Sequence, residues 1–399
     1  MSEQIKNNKI RFWISALFPL VFLAALFYIF LNFGPLGVFK KELPPIEEAF
    51  IQRIILEPEQ ISVNVINDGP EPVTIAQVLI NDIYWQFSMN PSQTLAPLKR
   101  GVIKLQYPWL EGDPLRITLI SRNGITFEGE VGVAIETPQF NILYSRTFVL
   151  LGIYVGVIPV LLGLLWLPFL RKLRAEWYSV LLSFTIGILV FLGIDTLAES
   201  FDLIKNLPQS FNGIGILVIG FLLSVLILSA ISYKTEHYRA RGEHHQALAW
   251  GYLIAIGIGL HNLGEGLAIG SAYAIGEIAL GGSLVIGFML QNTTEGVAII
   301  APLTKTFKQL KTYLLHLILM GLIAGVPTII GTLIGGFAFS FALAVLFLAI
   351  GAGAIFNVAF DITKSMAKGS WLSIFTVTNV LGFFAGLLIM YVTGFLVLG

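Results

Sequence analysis

Two nine-residue stretches, HNLGEGLAI at 261–269 and QNTTEGVAI at 291–299, repeat one pattern thirty residues apart. Each begins with two nitrogen-bearing side chains, continues to Glu-Gly, and lies inside a long apolar run. A charged side chain at the middle of a bilayer costs at least about 2.5 to 3.5 kcal/mol on insertion scales, so a glutamate there requires a reason. The fold therefore depends on whether these runs are membrane spans.

The composition is that of an integral membrane protein. Of the 399 residues, 56% are hydrophobic and 12% are charged, and the mean hydropathy is +0.82. Apolar runs long enough to cross a bilayer as helices recur along the second half. The chain contains no cysteine, which excludes disulfides and thiolate metal sites, and its scattered basic residues exclude a nucleic-acid binder.

The first 145 residues are expected to form an anchor and a β domain. Residues 12–33 are apolar after a basic start, and the run exceeds the core of a cleaved signal peptide, so we expect a retained transmembrane anchor and a cytoplasmic N-terminus within 1–33. Residues 34–145 alternate apolar and polar positions, as in ISVNVIND and LRITLIS, between turns rich in Gly and Pro. This pattern predicts a small all-β sandwich outside the cytoplasm.

Eight further apolar segments predict an α-helical polytopic bundle over 146–399. Their expected bounds are 146–169, 177–200, 212–233, 247–272, 279–302, 312–336, 339–362 and 372–398. Basic residues concentrate in cytoplasmic loops. With the N-terminus inside, the loops that become cytoplasmic hold eleven Lys and Arg residues, whereas the short loops opposite hold only Lys205. We therefore expect a multi-pass protein of the cell membrane with an extracytoplasmic C-terminus.

The side chains of the two stretches suit a divalent transition-metal ion. Positions four apart differ by about 40° around a helix, so His261 shares a face with Glu265, and Gln291 with Glu295. Nitrogen and oxygen donors without sulfur suit Zn²⁺, Fe²⁺ or Mn²⁺, and two carboxylates balance the charge of the ion at low dielectric. The candidate metal ligands are His261, Asn262, Glu265, Gln291, Asn292 and Glu295.

Two other interpretations of these residues stay open. They can form an ion or proton relay without a bound metal, or hydrogen bonds between helices, although amides or hydroxyls serve that purpose without carboxylates. An intramembrane metalloprotease needs H-E-x-x-H, and Asn262 stands where that motif has its general base. We predict no enzymatic activity, no catalytic residue and no cofactor, and we favour metal binding.

Several polar residues outside the two stretches have weaker signals. Asp195, Glu199 and Asp361 lie near predicted helix ends. They are interpreted either as solvated residues at the membrane interface or as residues along a permeation route. His316 is expected to be a hydrogen-bonded packing residue. We favour the interpretation that YKTEHYRARGEHH is a solvated basic loop. The alternative is that its histidines collect the transported ion, and these are His237, His244 and His245.

The stretch HNLGEG resembles the fourth-helix motif HNxPEG of the ZIP (Zrt/Irt-like) divalent metal transporters, and QNTTEG is similar to their fifth-helix motif. The resemblance covers much of 146–399, including a seventh helix that reads GAGAIFNVAFDI. It implies uptake of divalent metal toward the cytoplasm by alternating access, in which one helix group moves against another, and frequently a homodimer. A carrier without ATP agrees with the absence of a Walker A signature.

The resemblance implies a primary metal site of His261, Glu265, Gln291 and Glu295. Family members with two metals use further acidic residues, and this chain has Asn292 and Val326 at two of those positions, which implies at most a weak auxiliary site. The anchor and the β domain fall outside the resemblance. The β domain has no His or Cys and is expected to bind or regulate another protein or its own dimer partner.

The sequence therefore predicts a ZIP-like transporter of divalent metal ions within membrane lipid, for zinc ahead of iron or manganese. The alternative is a membrane receptor or scaffold that binds metal without moving it.

Overall fold

The computed structural model describes residues 17–29, 46–172, 174–239, 242–274, 278–306, 310–338, 340–367 and 370–398. Helix α1, Leu17–Ile29, is the described part of the predicted anchor, and the large apolar side chains along it are exposed. The remainder of the predicted anchor segment 1–33 lies outside the described residues, as do residues 34–45 at the start of the predicted β domain.

The β domain contains two antiparallel sheets that enclose one apolar core. Their orders are β1-β2-β7-β5 and β4-β3-β8-β9, with β6 paired to β3. Alternate residues such as Ile61, Val63 and Ile117 point into the shared core and are fully buried, which accounts for the alternating pattern of the sequence. The strands are β1 Ala49–Glu57, β2 Gln60–Asn67, β3 Val73–Ile80, β4 Ile83–Trp85, β5 Phe87–Asn90, β6 Thr94–Leu95, β7 Arg100–Gln106, β8 Leu115–Ser121 and β9 Thr126–Val131.

Eight helices among the described residues are long and apolar enough to cross a membrane, which is the architecture of a multi-pass membrane protein. Each overlaps one span expected from the sequence. They are α2 Ile142–Leu170, α3 Ala175–Ile204, α4 Gly213–Arg239, α5 Glu243–Ala274, α6 Ile278–Ile300, α7 Leu310–Ala338, α8 Phe341–Met366 and α9 Val377–Leu398. Helix α2 contains a π-helical turn at Ile153–Val157, and α3 continues four residues beyond its expected end, which places Asp195 and Glu199 inside the helix.

The bundle consists of two groups of four helices, α2, α5, α6 and α7 in the first and α3, α4, α8 and α9 in the second. Within each group, facing glycines bring two helix backbones into contact, because a Cβ at either position would meet the backbone of the other helix. The facing pairs are Gly163–Gly296 (α2–α6), Gly266–Gly331 (α5–α7) and Gly187–Gly386 (α3–α9). The two groups meet where α5 packs on α8 and α6 packs on α9.

The β domain covers one end of the bundle. Arg53 on β1 donates from Nη1 to the Phe337 carbonyl at the end of α7, at 3.1 Å. The Asp68 carboxylate accepts backbone N–H groups of Gln209 and Ser210, between α3 and α4, at 2.6 and 3.1 Å. A cavity of about 600 Å³ lies between the domain and the ends of α3, α5, α6 and α8. In the topology expected from the basic residues, this is the extracytoplasmic end.

Candidate metal centre

The six candidate ligands lie together between α5 and α6. Their side chains are at most 3% exposed, although the sequence gives three of them a charge or a titratable ring. The residues on either side of the two stretches are mainly apolar, so no water-facing surface accounts for these polar groups. The group consists of His261, Asn262, Glu265, Gln291, Asn292 and Glu295.

Three of the six form a compact ligand set. A ring nitrogen of His261 and one carboxylate oxygen each of Glu265 and Glu295 all lie within 4.8 Å of one another. His261 Nε2 is 3.3 Å from Glu265 Oε1 and 3.3 Å from Gln291 Nε2. Gln291 Nε2 also lies 3.5 Å from Glu295 Oε1, so its amide faces the same pocket. One imidazole and two carboxylates from two helices thus converge within 4.8 Å.

The hydroxyl of Thr196, on α3, determines which nitrogen of His261 carries the proton. Thr196 Oγ1 lies 2.7 Å from both the Leu192 carbonyl oxygen and His261 Nδ1. A carbonyl oxygen can only accept, so the single hydroxyl proton points to Leu192, and the hydroxyl oxygen accepts from Nδ1–H. The Nε2 lone pair of His261 is therefore directed at the carboxylates, which is the form of histidine that binds a metal.

The pocket is rich in acceptors and poor in donors. With Nδ1 protonated, His261 Nε2 and Glu265 Oε1 face each other at 3.3 Å as two acceptors. Glu265 Oε1 and Glu295 Oε2 are buried without a hydrogen-bond partner. An uncompensated buried carboxylate costs several kcal/mol. A cation between these atoms would satisfy them, as would a proton on one of the carboxylates.

The two asparagines form hydrogen bonds that hold the pocket residues and the neighbouring helices in position. Asn292 Nδ2 donates to Glu265 Oε2 at 2.9 Å and to the Val155 carbonyl at 3.2 Å. Asn262 Nδ2 donates to the Ala324 carbonyl of α7 at 3.1 Å. The Oδ1 atoms of both asparagines are buried without a hydrogen-bond partner among the described residues. Their Nδ2 atoms hold Glu265 and the contact between α5 and α7 in place, and the auxiliary role expected for these residues stays a prediction.

The Val155 carbonyl is available because of Pro159. In a regular helix, residue 159 would donate its N–H to the carbonyl of residue 155, but proline has no N–H to donate. The π-helical turn Ile153–Val157 lies at this point, and Asn292 supplies the missing donor. Sequence reasoning missed this contact, although Pro159 was the signal that a carbonyl of α2 needed another partner.

Asp195 and Glu199 lie on either side of Thr196, one turn apart. The Thr196 hydroxyl between them is hydrogen-bonded to His261. The Asp195 side chain is exposed and that of Glu199 is half-buried. The sequence identified both acids, but it gave no reason to select Thr196, since a threonine in an apolar helix is ordinary.

The remaining polar residues lie apart from the pocket. His316 Nδ1 pairs with the Tyr252 hydroxyl at 2.8 Å, a packing role as expected. Asp361 accepts from Ser232 at 2.7 Å, which joins α8 to α4. His244 Nδ1 pairs with the Tyr313 hydroxyl at 2.7 Å. His245 is exposed, and the side chain of His237 is outside the described residues.

No protein-family model matches the chain, and no curated protein matches it significantly in sequence. Any function assigned to it must therefore follow from the chemistry of the pocket and the arrangement of the helices around it.

Proposed function

We propose that this protein transports divalent transition-metal ions, with zinc foremost, toward the cytoplasm in the manner of the ZIP-like carriers. The observation that carries the proposal is the compact set of His261, Glu265 and Glu295, buried between two membrane-spanning helices with their lone pairs directed at one another. A single divalent cation satisfies all three groups, and imidazole nitrogen with carboxylate oxygen is a preferred ligand set for Zn²⁺.

A fourth ligand is supplied by Gln291. The two ends of a glutamine amide are assigned from the hydrogen-bond network, and a rotation of the amide by 180° exchanges them. The Gln291 Nε2 position, 3.3 Å from His261 Nε2, would then hold the carbonyl oxygen, facing the same cation. Four nitrogen and oxygen ligands agree with the tetrahedral coordination of zinc.

Purely structural hydrogen bonding explains the pocket less well. Polar contacts between membrane helices stabilise packing when donors meet acceptors. Here Asn262, Glu265, Asn292 and Glu295 each retain a buried oxygen without a partner. A pocket selected for helix packing would pair these oxygens, whereas a pocket selected for a cation leaves them directed at the ion.

Movement is supported by where the pocket lies. The ligands belong to α5 and α6 of the first helix group, whereas Thr196, Asp195 and Glu199 belong to α3 of the second. Three glycine pairs, Gly163–Gly296, Gly266–Gly331 and Gly187–Gly386, bring backbones into contact within a group. Between the groups, Gly264 of α5 faces the Leu348 side chain of α8, and Gly351 of α8 lies against the backbone of His261, so the boundary passes directly beside the pocket. Two rigid groups with a cation at their boundary can expose it to one side and then the other.

The proposal is tested by uptake of radioactive zinc into proteoliposomes that contain the purified full chain. We expect Glu265→Gln and Glu295→Gln, each of which removes one ligand charge, to reduce uptake to the level of empty vesicles. Glu243→Gln is the matched control, because Glu243 begins the same helix α5 but is exposed and pairs with Lys305 at 2.9 Å. It should retain uptake.

Zinc binding is measured on the same preparations to separate transport from the alternatives. Saturable zinc binding that is lost in Glu265→Gln, together with no uptake in the unmodified chain, would replace the transporter by a metal-binding receptor or scaffold. Proton flux without zinc binding would replace it by a proton relay. Equal uptake in the Glu265→Gln and Glu243→Gln variants would overturn the site assignment.

A further inference from the structure

An apolar groove opens on the lipid-facing surface of the bundle, at the end opposite to the β domain. Its volume is about 370 Å³, which is within the range of small-molecule pockets. It separates α2 and α6, of the first helix group, from α3 and α9, of the second. Its walls include Leu170, Leu181, Phe184, Val297, Ala385 and Ile389.

The groove offers almost only hydrocarbon surface, and the hydroxyls in its lining are already hydrogen-bonded. The two hydroxyls in its lining belong to Thr293 and Thr294, which donate to the carbonyls of Met289 and Gln291 within their own helix at 2.8 and 2.7 Å. Water in the groove would lose hydrogen bonds without replacement. Because the groove lies on membrane-spanning helices, the apolar material that meets it is the acyl chain of a lipid.

The end of the groove is marked by tryptophan and by positive charge. Trp166 and Trp177 line it and are each more than half exposed, as expected for rings at the level of lipid headgroups. Arg171 directly follows a lining residue of α2, and Arg174 precedes Trp177 by three residues. Lys172 lies between them, and all three basic side chains are exposed.

We propose that this groove is a binding site for one anionic phospholipid. An acyl chain fills the space between the two helix groups, and the basic residues at its end, Arg171 and Arg174 foremost, bind the phosphate. Apolar volume and positive charge at headgroup level are the two features that such a lipid recognises. The site is separate from the metal pocket, and it lies on the boundary across which the two groups meet.

The site is tested by native mass spectrometry of the delipidated full chain titrated with dioleoyl phosphatidylglycerol or dioleoyl phosphatidylcholine. We expect one tightly held phosphatidylglycerol per chain and weaker binding of phosphatidylcholine. Each basic residue near an anionic headgroup contributes about a fivefold preference. Arg171→Gln/Arg174→Gln should therefore lose most of that preference, whereas Arg100→Gln/Lys104→Gln, a pair of exposed residues on β7, should retain it.

A substitution that fills the groove distinguishes lipid bound in this site from lipid bound nonspecifically to the rest of the protein. Ala385→Phe, which occupies the groove, should abolish tight binding of both lipids. Ala230→Phe places the same ring on an exposed position of α4 away from the groove and should leave binding intact. Equal binding of the two lipids, or equal effects of the two phenylalanines, would overturn the proposal. A chain dimer that Ala385→Phe dissociates without loss of lipid would assign the groove to a second copy instead.

Discussion

At the scale of single residues, the metal pocket depends on a neighbour that is not a ligand. The Thr196 hydroxyl oxygen accepts a hydrogen bond from Nδ1–H of His261, and the lone pair of Nε2 is therefore directed at the carboxylates. The same hydroxyl belongs to the second helix group, whereas the imidazole belongs to the first. The protonation of the histidine and the relative position of the two groups are therefore linked through one hydrogen bond of 2.7 Å.

Replacing this hydroxyl tests the assignment of the histidine proton. Thr196→Val retains the shape of the side chain but leaves Nδ1–H without an acceptor, and we expect zinc affinity to fall about tenfold, the usual effect of losing the partner of a metal-binding histidine. Affinity is measured by competition with a chelator. Thr185→Val is the matched control, since Thr185 is buried on the same helix and donates only to the Leu181 carbonyl among the described contacts. Equal affinities in the two variants would contradict the role of Thr196.

The sequence identified the ligands at this scale because helical periodicity is local. His261 and Glu265 share a face through backbone geometry alone, and an apolar run makes a carboxylate conspicuous. Thr196 lies 65 positions before His261, and their contact exists only after α3 packs beside α5. No periodic pattern within either helix contains that information.

At the scale of elements, close contact of α5 with α7 holds the pocket in place. Gly266 and Gly331 face each other, and a Cβ on Gly266 would meet the Thr328 carbonyl and lie 3.0 Å from the Gly331 Cα. Asn262 bonds to the Ala324 carbonyl one turn away along the same contact. A shift of α7 away from α5 would therefore also disturb the bracing of the ligands.

A methyl group at this crossing should destabilise the protein. We expect Gly266→Ala to lower the free energy of unfolding by about 1 to 3 kcal/mol or more, because the obstacle is backbone and cannot rotate away. The change is read as a lower melting temperature in detergent. Gly282→Ala, on α6, is the control, since nothing lies within 4 Å of the added Cβ. A melting temperature unchanged by Gly266→Ala would contradict the backbone contact.

Strand β1 lacks the alternating pattern from which the β domain is predicted. Its sequence, AFIQRIILE, has Arg53 and Gln52 among apolar residues, and all but one of its residues are half-buried rather than alternately buried and exposed. One face of the strand meets the sandwich core, and the other lines the cavity above the helices. Alternating apolar and polar residues are typical of a strand with one solvent-exposed face. A strand that is covered on both faces therefore lacks this pattern.

At the scale of the whole molecule, the β domain spans both helix groups. Arg53 binds the end of α7 in the first group, and Asp68 binds the connection between α3 and α4 in the second. Burial lowers the pKa of the Arg53 guanidinium through loss of solvation, so its contact with the Phe337 carbonyl partly replaces water. If the groups shift as proposed, at least one of these two contacts must break, which would make the domain a restraint on transport.

Hydrogen exchange tests this docking directly. Asp68→Ala removes the acceptor of the Gln209 and Ser210 amides, and we expect exchange at these amides to become about fivefold faster, the value for about 1 kcal/mol from an exposed charged hydrogen bond. Exchange is followed by mass spectrometry of the intact chain after peptic digestion. Glu111→Ala, which removes an exposed carboxylate elsewhere on the same domain, should change nothing at Gln209. Unchanged exchange in Asp68→Ala would show that the domain is not held there.

The sequence by itself determined the eight spans, the alternating strands and the donors of the pocket, because hydropathy and periodicity act over a few residues at a time. The tertiary structure decided the rest. Packing brings Thr196 to His261, the Val155 carbonyl freed by Pro159 to Asn292, and the β domain onto both helix groups. These are contacts between distant segments, and their partners are chosen by the shapes of whole helices rather than by any local pattern.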